Sequence, residues 1–509
     1  MIIGDFNTVM LVNEKNGGRI PLSTALNDFN DWIYNCGLIQ APKSGLQLSW
    51  SNGRCGRKRI LCNLDRAFYN LQWLNKYSGW KYNVSSRGIS YHSFLVGSNI
   101  EISKPKNSPF KFQTMWTTHP EFLKLVLDSW NEILLGNPIF VFMNKLKRLK
   151  KILKLWNWEV FDDIYVKLKK AEDEVQETNI VSDEDPSNIV LLNNYITARG
   201  ERDVAAQNYH NFLIQKARVN WIKFWDANTA FFHTSIKLRQ TKNTIVELTD
   251  DSGVIFSDQD QIATMLIEYF KTKFSYQPVQ ITESILDAIQ NAVSHEDNTL
   301  IEKIPSKEDI REAVFQLNQD GSPGPDGFTG IFYRIAWDII SEDLTATIQF
   351  CWLNQVIPAG LNSNFLILLP KTKEAKKVNQ FRPIGLSNFC FKIITKIITI
   401  RISSFLHKLI SPQQCAFVKE INIHEQILLA SELVNEMSSQ RRGGNVGLKL
   451  DITQAYDTLS WEFLMSVLRQ YGFSEKFCNW IKILLRTTKI SIILNGGPIG
   501  YFGVGRGVK

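Results

Sequence analysis

Residues Gly447 to Trp461, GLKLDITQAYDTLSW, constrain the fold of this chain more than any other stretch. An apolar run from Leu448 to Ile452 carries Asp451 near its end. It leads through a turn to Leu459, Phe463, Leu464, Val467, Leu468 and Tyr471, apolar at helical spacing. The pattern predicts a strand that delivers one carboxylate and a helix that packs behind it, with Gly472 as the stop. A carboxylate at the end of a buried strand is costly unless it is paired, hydrogen-bonded or bound to metal, so Asp451 calls for a partner. Capping of the following turn is the plainer use of such an aspartate.

Tyr456, close to the same turn, and Asp457 beside it narrow that choice. With them the stretch resembles motif A of reverse transcriptases, in particular those of LINE-type (non-long-terminal-repeat) retrotransposons of plants. The resemblance implies that Asp451 is the first metal-binding aspartate and that Tyr456 is the aromatic that excludes a ribose 2′-hydroxyl.

The 509 residues, 44% of them hydrophobic, suffice for roughly two to four domains with real cores and exclude a disordered chain. Cysteines at 36, 55, 62, 351, 390, 415 and 478 show no C-x-x-C spacing, which points to a reduced, intracellular protein and away from a zinc or redox motif. The most apolar stretch, Phe389 to Ile402, is interrupted by Lys392, Lys396 and Arg401, so no membrane span is expected. Met1-Ile2-Ile3 runs at once into Gly4-Asp5, so no signal peptide is expected. A net charge of +8 fits a polyanion as partner.

At the start, Met1 to Asn7 reads as a strand whose alternation puts Asp5 and Asn7 on one side, where both reach a phosphate or its metal. Leu48 to Gly53 predicts a strand and an Asn-Gly turn, beside the basic cluster Arg54, Arg57, Lys58 and Arg59. Asn63-Leu64-Asp65-Arg66-Ala67-Phe68 and Ser90-Tyr91-His92-Ser93 follow. This order resembles the second half of an endonuclease/exonuclease/phosphatase domain, the nicking endonuclease of the same retrotransposons. It implies that Asp5 and Asn7 belong to the metal and phosphate site and that His92 contacts the scissile phosphate. The family has an aspartate in place of Tyr91, and a phenol supplies no charge at pH 7, so His92 is expected to lack its orienting partner. The first half of that fold is missing from the sequence. No endonuclease activity is expected, and residues 1–97 are expected to expose an apolar face.

Leu146, Leu149, Leu153, Trp156 and Val160, continued by Ile164, Leu168, Ala171 and Val175, predict one long amphipathic helix. Pro186 and its acidic neighbours break it. A second run through Leu192, Ile196, Phe212, Trp221 and Trp225 completes an antiparallel hairpin. Lys145, Lys147, Arg148, Lys150, Lys151 and Lys154 are either a solvated face or a phosphate-tracking stripe. His233 has no Cys or His at ligand spacing and is assigned no chemistry.

Ser306 to Asp309 is a capping box, and Gly321-Ser-Pro-Gly-Pro-Asp-Gly327 opens a helix through Phe332, Ile335, Ala336, Ile339 and Ile340. Leu366 to Pro370 and Phe381 to Leu386 predict a hairpin with cations near its end, suited to a triphosphate. A lysine-protected edge hairpin has the same pattern. Ser411 to Val418 leads to a helix through Ile427, Ala430, Leu433 and Val434, and a further helix opens at Ser474. Asn495-Gly496 predicts a type I′ turn between two final strands. The GSPGPDG, LPK and FRPIGLSN elements resemble the fingers of the same reverse transcriptases, which implies nucleotide contact by Lys371 and Arg382. In the family the sequence after Arg506-Gly507 leads into motif B and then to a pair of metal-binding aspartates. Asp451 alone is not expected to hold a two-ion site.

The expected architecture is α+β and multi-domain: an α/β endonuclease-like remnant at 1–97, a helical connector at 98–300, and reverse transcriptase fingers with an incomplete palm at 301–509. The resemblance implies RNA-directed DNA polymerase ancestry, Mg²⁺ or Mn²⁺ as cofactor, and an RNA template with a DNA primer or target as partners. It places the protein in the nucleus or cytoplasm. Inactivity of this chain in catalysis is expected, and a non-catalytic nucleic-acid-binding remnant is the alternative.

Overall fold

The computed structural model describes residues 1–77, 79–99, 105–217, 243–372, 375–411, 422–437 and 454–507, with isolated positions between them, including 444–448 and 450. The chain is mixed α/β with several cores. No helix among the described residues is long and apolar enough to cross a membrane.

Three small sheets build the N-terminal part. The first orders β1 (Ile2–Asp5), β7 (Asp65–Tyr69) and β3 (Ile39–Gln40), the second β2 (Lys15–Asn16), β6 (Leu61–Cys62) and β5 (Trp50–Ser51), the third β4 (Lys43–Gly45), β8 (Trp80–Val84) and β9 (Leu95–Asn99). All five residues of β7 are buried, and antiparallel pairing sets Asp5 opposite Asp65. Ile2, Ile3, Leu11 and Val12 are exposed, Ile2 and Ile3 on opposite sides of β1. Asn52-Gly53 does not close a two-residue hairpin. The Asn52 side chain accepts from the Ile60 amide and donates to the Lys58 carbonyl, and so ties off a longer loop between β5 and β6.

The long apolar stripe is two helices, Pro138–Val160 and Ile164–Glu184. Asp162 takes a left-handed φ of 47°, and Asp163 caps the second helix by accepting from the Tyr165 amide at 3.0 Å. Two adjacent aspartates compete for backbone donors, and that outweighs the continuing stripe. The second of these helices packs along Ile189–Ala217 through Ile164, Leu168, Tyr209 and Leu213, which forms the hairpin. Trp221, Trp225 and His233 lie outside the described residues.

The largest core joins the two sides of residue 300. Phe142, Leu146, Leu149 and Leu153 of the first helix share it with Phe328, Phe332, Ile340, Leu344, Ile393 and Trp480. Ala336 divides the helix expected after GSPGPDG into Gly330–Ile335 and Trp337–Asn354. The capping box is present, with Asp309 N donating to Ser306 Oγ at 3.1 Å and Ser306 N donating to Asp309 at 3.2 Å.

A four-stranded sheet carries the second large core. Its order is β13 (Phe381–Ser387), β12 (Ser363–Pro370), β14 (Lys489–Leu494), β15 (Gly497–Gly503), with β12 and β14 parallel and the outer pairs antiparallel. Asn495 and Gly496 both have positive φ, as a type I′ turn requires. The helix Gln259–Lys273 buries Ile262, Leu266 and Phe270 against Leu366, Leu368, Ile492 and Phe502. A short ribbon of β10 (Leu248–Thr249) and β11 (Ile255–Phe256) lies beside it.

The stretch before Asp451 corrects one expectation. Leu448 and Leu450 are exposed and lie in no strand. A strand exists only through a neighbour that takes its amides and carbonyls, and no described strand pairs with this segment. The helix behind it does form, as Trp461–Gln470, with Ser460 as its cap and Gly472 at φ 93° after its end.

Candidate functional site

Three groups of predicted residues can be placed. The first is the loop end of the β12–β13 hairpin. Pairing sets Leu369 opposite Arg382 and Pro370 opposite Phe381, so Lys371, one residue past β12, lies diagonally across from Arg382. Both are exposed. Lys371 is steadied by its amide on the Gln380 carbonyl at 2.8 Å and its ammonium on the Asn379 carbonyl at 2.9 Å. Lys376, by contrast, is engaged by Glu247 at 2.9 Å. Two solvated cations held at a hairpin mouth can receive a polyanion.

The second is the turn after Asp451, itself outside the described residues. Tyr456 stands on the short helix Ala455–Thr458 with its side chain exposed. Asp457 next to it is buried and meets the Lys273 ammonium at 2.7 Å, a contact that sequence reasoning missed because its partners are 184 positions apart. Around it the Gly507 amide donates to the Leu459 carbonyl, and Trp461 Nε1 donates to the Gly507 carbonyl at 2.6 Å. A Cβ on Gly507 would stand 2.9 Å from the Asp457 carbonyl oxygen, so the close approach depends on glycine.

The third is at the N-terminus. Asp5, Asp65 and His92 bring ligand atoms within 4.8 Å of one another. His92 Nδ1 lies 3.1 and 3.2 Å from the two Asp65 carboxylate oxygens, and its Nε2 lies 4.0 Å from Asp5. The Asp5 carboxylate accepts the Asn7 amide at 2.9 Å, with Asn7 at a φ of 53°. The expectation that His92 lacks an orienting carboxylate is therefore corrected. Asp65 holds the ring, from β7 rather than from the neighbouring position 91, and Tyr91 is exposed. Its signal was present in the LDRAF stretch, whose aspartate is the cross-strand partner of Asp5 and so shares its face of the sheet.

Beneath the cluster lies a buried ion pair. Arg66 is 0% exposed and gives its two terminal nitrogens to Glu14 at 3.0 and 2.5 Å. Burial pushes the Glu14 carboxyl up, but Arg66 and the Met10 and Leu11 amides outweigh it, and the group titrates below the usual carboxylate range. With Asp65 engaged by His92 and Asp5 Oδ1 by the Asn7 amide, Asp5 Oδ2 and the imidazole Nε2 are the donor atoms left to face an ion. This mixed oxygen and nitrogen set fits Mn²⁺ or another transition dication better than the all-oxygen shell that Mg²⁺ prefers.

Residues 369–507 match the family described as reverse transcriptase (RNA-dependent DNA polymerase). The chain is 24% identical over 297 residues to the transposon TX1 uncharacterized 149 kDa protein of Xenopus laevis, covering 58% of this chain and 22% of that protein. It is 24% identical over 204 residues to the retrovirus-related Pol polyprotein from type-2 retrotransposable element R2DM of Drosophila melanogaster, covering 40% and 18%. It is 25% identical over 177 residues to the corresponding polyprotein from type-1 retrotransposable element R1 of Bradysia coprophila, covering 34% and 17%. The chain thus spans about a fifth of the length of the curated relatives it matches. Lys371, Arg382, strand β13, the Tyr456 turn and the final two strands all fall within the matched segment, which takes in only the last two residues of β12. Residues 369–507 are therefore reverse transcriptase sequence, on a chain homologous to the polyproteins of non-long-terminal-repeat retrotransposons.

Proposed function

We propose that this chain serves RNA-directed DNA polymerisation in a LINE-type retrotransposon, with residues 301–509 as fingers and part of the palm, 98–300 as a helical connector and 1–97 as an endonuclease-like unit. The observation that carries the reading is the pair of exposed cations at the mouth of the β12–β13 hairpin, inside the reverse transcriptase match. In this reading Lys371 and Arg382 grip the triphosphate of an incoming nucleotide. Asp451 carries Mg²⁺ or Mn²⁺, and Tyr456 closes the space where a 2′-hydroxyl would sit. The partners are an RNA template and a DNA primer. At the other end, Asp5, Asn7 and His92 face a DNA phosphate, with Asp65 orienting the histidine.

Leu448 and Leu450, exposed beside Asp451, favour a second reading, in which the chain binds nucleic acid without catalysis. The test is primer extension on an RNA template with Mg²⁺ or Mn²⁺, the chain beside its Asp451→Ala variant. Binding to an RNA/DNA hybrid is read in parallel by fluorescence anisotropy across a salt series. Binding that weakens steeply with salt and falls at least fivefold in the Lys371→Ala/Arg382→Ala variant supports the polyanion site. Binding indifferent to both substitutions refutes it. Extension lost in Asp451→Ala assigns catalysis to these residues, whereas binding without extension selects the second reading.

A further inference from the structure

A cavity of about 660 Å³ lies where the connector meets the GSPGPDG loop, away from the hairpin mouth and the histidine cluster. One wall is the first half of the helix Pro138–Val160. The facing wall is the loop through Pro325 and Asp326, with Pro358 to Leu361 and Asn388. Most of its lining is apolar, and four phenyl rings contribute: Phe140, Phe142, Phe328 and Phe350. A volume of this order suits a drug-sized molecule (~300–1,000 Å³), and ring walls favour a flat one by stacking.

Few polar groups converge on this space. Asp326 is its sole carboxylate among the described lining residues. One of its oxygens accepts the Phe328 amide at 3.2 Å, and its own amide donates to Asn388 at 3.0 Å, so the group is fixed in place. The Asn388 amide is itself spent on the Gly360 and Leu361 carbonyls, which makes it scaffold. Two lysines line the cavity: Lys147 is exposed to solvent, while Lys150, half-buried, is the one whose charge acts on Asp326.

We propose that this cavity is a binding site for a flat, uncharged, largely apolar small molecule with an adjacent hydrogen-bond donor and acceptor on one edge, the chemistry of a cyclic amide. The donor N–H meets Asp326 and the carbonyl accepts from Lys150. A net charge on the ligand would oppose one member of that pair inside an apolar space, so the neutral molecule is selected. The site bridges the connector and the loop below β13, and its occupant would hold these two parts together.

Calorimetric titration with quinolin-2(1H)-one tests this, beside its N-methyl derivative, which lacks the donor, and naphthalene, which lacks the polar edge. The lactam is expected to bind one to one with a sub-millimolar Kd, at least tenfold more tightly than either comparison compound. Asp326→Asn should weaken it fivefold or more. Val356→Trp, at a half-exposed lining position, should plug the mouth and abolish binding while the melting temperature stays that of the wild type. Equal binding of naphthalene, binding unchanged in Val356→Trp, or no saturable binding up to the solubility limit would each overturn the proposal.

Discussion

Replacing Glu14 by alanine should open the N-terminal unit and leave the rest of the chain intact. Arg66 is fully buried, and two of its nitrogens rest on Glu14, with the Asn63 carbonyl at 2.8 Å as its remaining partner. Hydrogen bonds to charged groups contribute roughly 1.5–3 kcal/mol each. Removing one partner of a buried ion pair costs about 3–5 kcal/mol, because the other charge stays in the interior. We take about 4 kcal/mol, a substantial share of the roughly 5–15 kcal/mol that holds a whole domain. At about 1.4 kcal/mol per decade, the open population rises roughly a thousandfold. The Cys62 thiol reports on it. It is buried on β6, opposite Lys15 and next to Glu14, and burial pushes its pKa up. With Cys36, Cys55 and Cys415 replaced by serine, the labelling rate of Cys62 by an aromatic disulfide reads the opening equilibrium. Glu14→Ala should speed it by about three decades. Cys351, Cys390 and Cys478, buried in the other large core, should keep their rates and serve as the internal control. An acceleration under about tenfold would refute the argument that Arg66 depends on Glu14.

Three further outcomes are expected. Lys273→Met leaves Asp457 buried without its ammonium and should cost about 3–5 kcal/mol, read as lost hydrogen-exchange protection over residues 455–470, with Asp457→Asn restoring part of it. Burial pushes Asp326 up to about 6, against backbone amides and the charges of Lys150 and Lys392. The folded chain therefore holds that proton more tightly than the unfolded one, and its contribution, full at low pH, is lost as pH rises through about 6. Asp326→Asn should then raise the urea midpoint at pH 7.5 and not at pH 4, an effect of roughly 2–3 kcal/mol that a uniform shift at both pH values would contradict. Gly327→Ala places a Cβ 2.4 Å from the Phe110 carbonyl at a φ of 86°, and should cost more than about 1 kcal/mol by thermal denaturation.

Local chemistry was legible where its partners are close in sequence. Asn495-Gly496 has one favoured use between two apolar runs, and Ser306 needs only Asp309 three residues on. The β12–β13 hairpin followed from two apolar runs with cations at their ends. The break at Asp162 was hidden because the apolar stripe keeps helical spacing straight through it, and periodicity alone does not register two aspartates competing for the backbone. Long-range pairs had no local signature. Glu14 with Arg66, Asp457 with Lys273 and Asp65 with His92 were all visible as residues, but not as partners. The strand expected before Asp451 shows the converse limit, since apolar residues make a strand only where an edge receives them.

The parallel pairing of β12 with β14 sets an order of events during synthesis. β12 and β13 can close as a hairpin as soon as both have left the ribosome, but β14 lies some 120 residues downstream. At ~5–20 residues per second, the inner edge of SNFLILLP waits roughly 6 to 25 s for its partner. During that interval an apolar, uncharged edge faces the same edge on every neighbouring chain of a polysome. Translation speed through residues 371 to 488 thus becomes a determinant of yield, and slowing it should convert folded protein into co-translational aggregate.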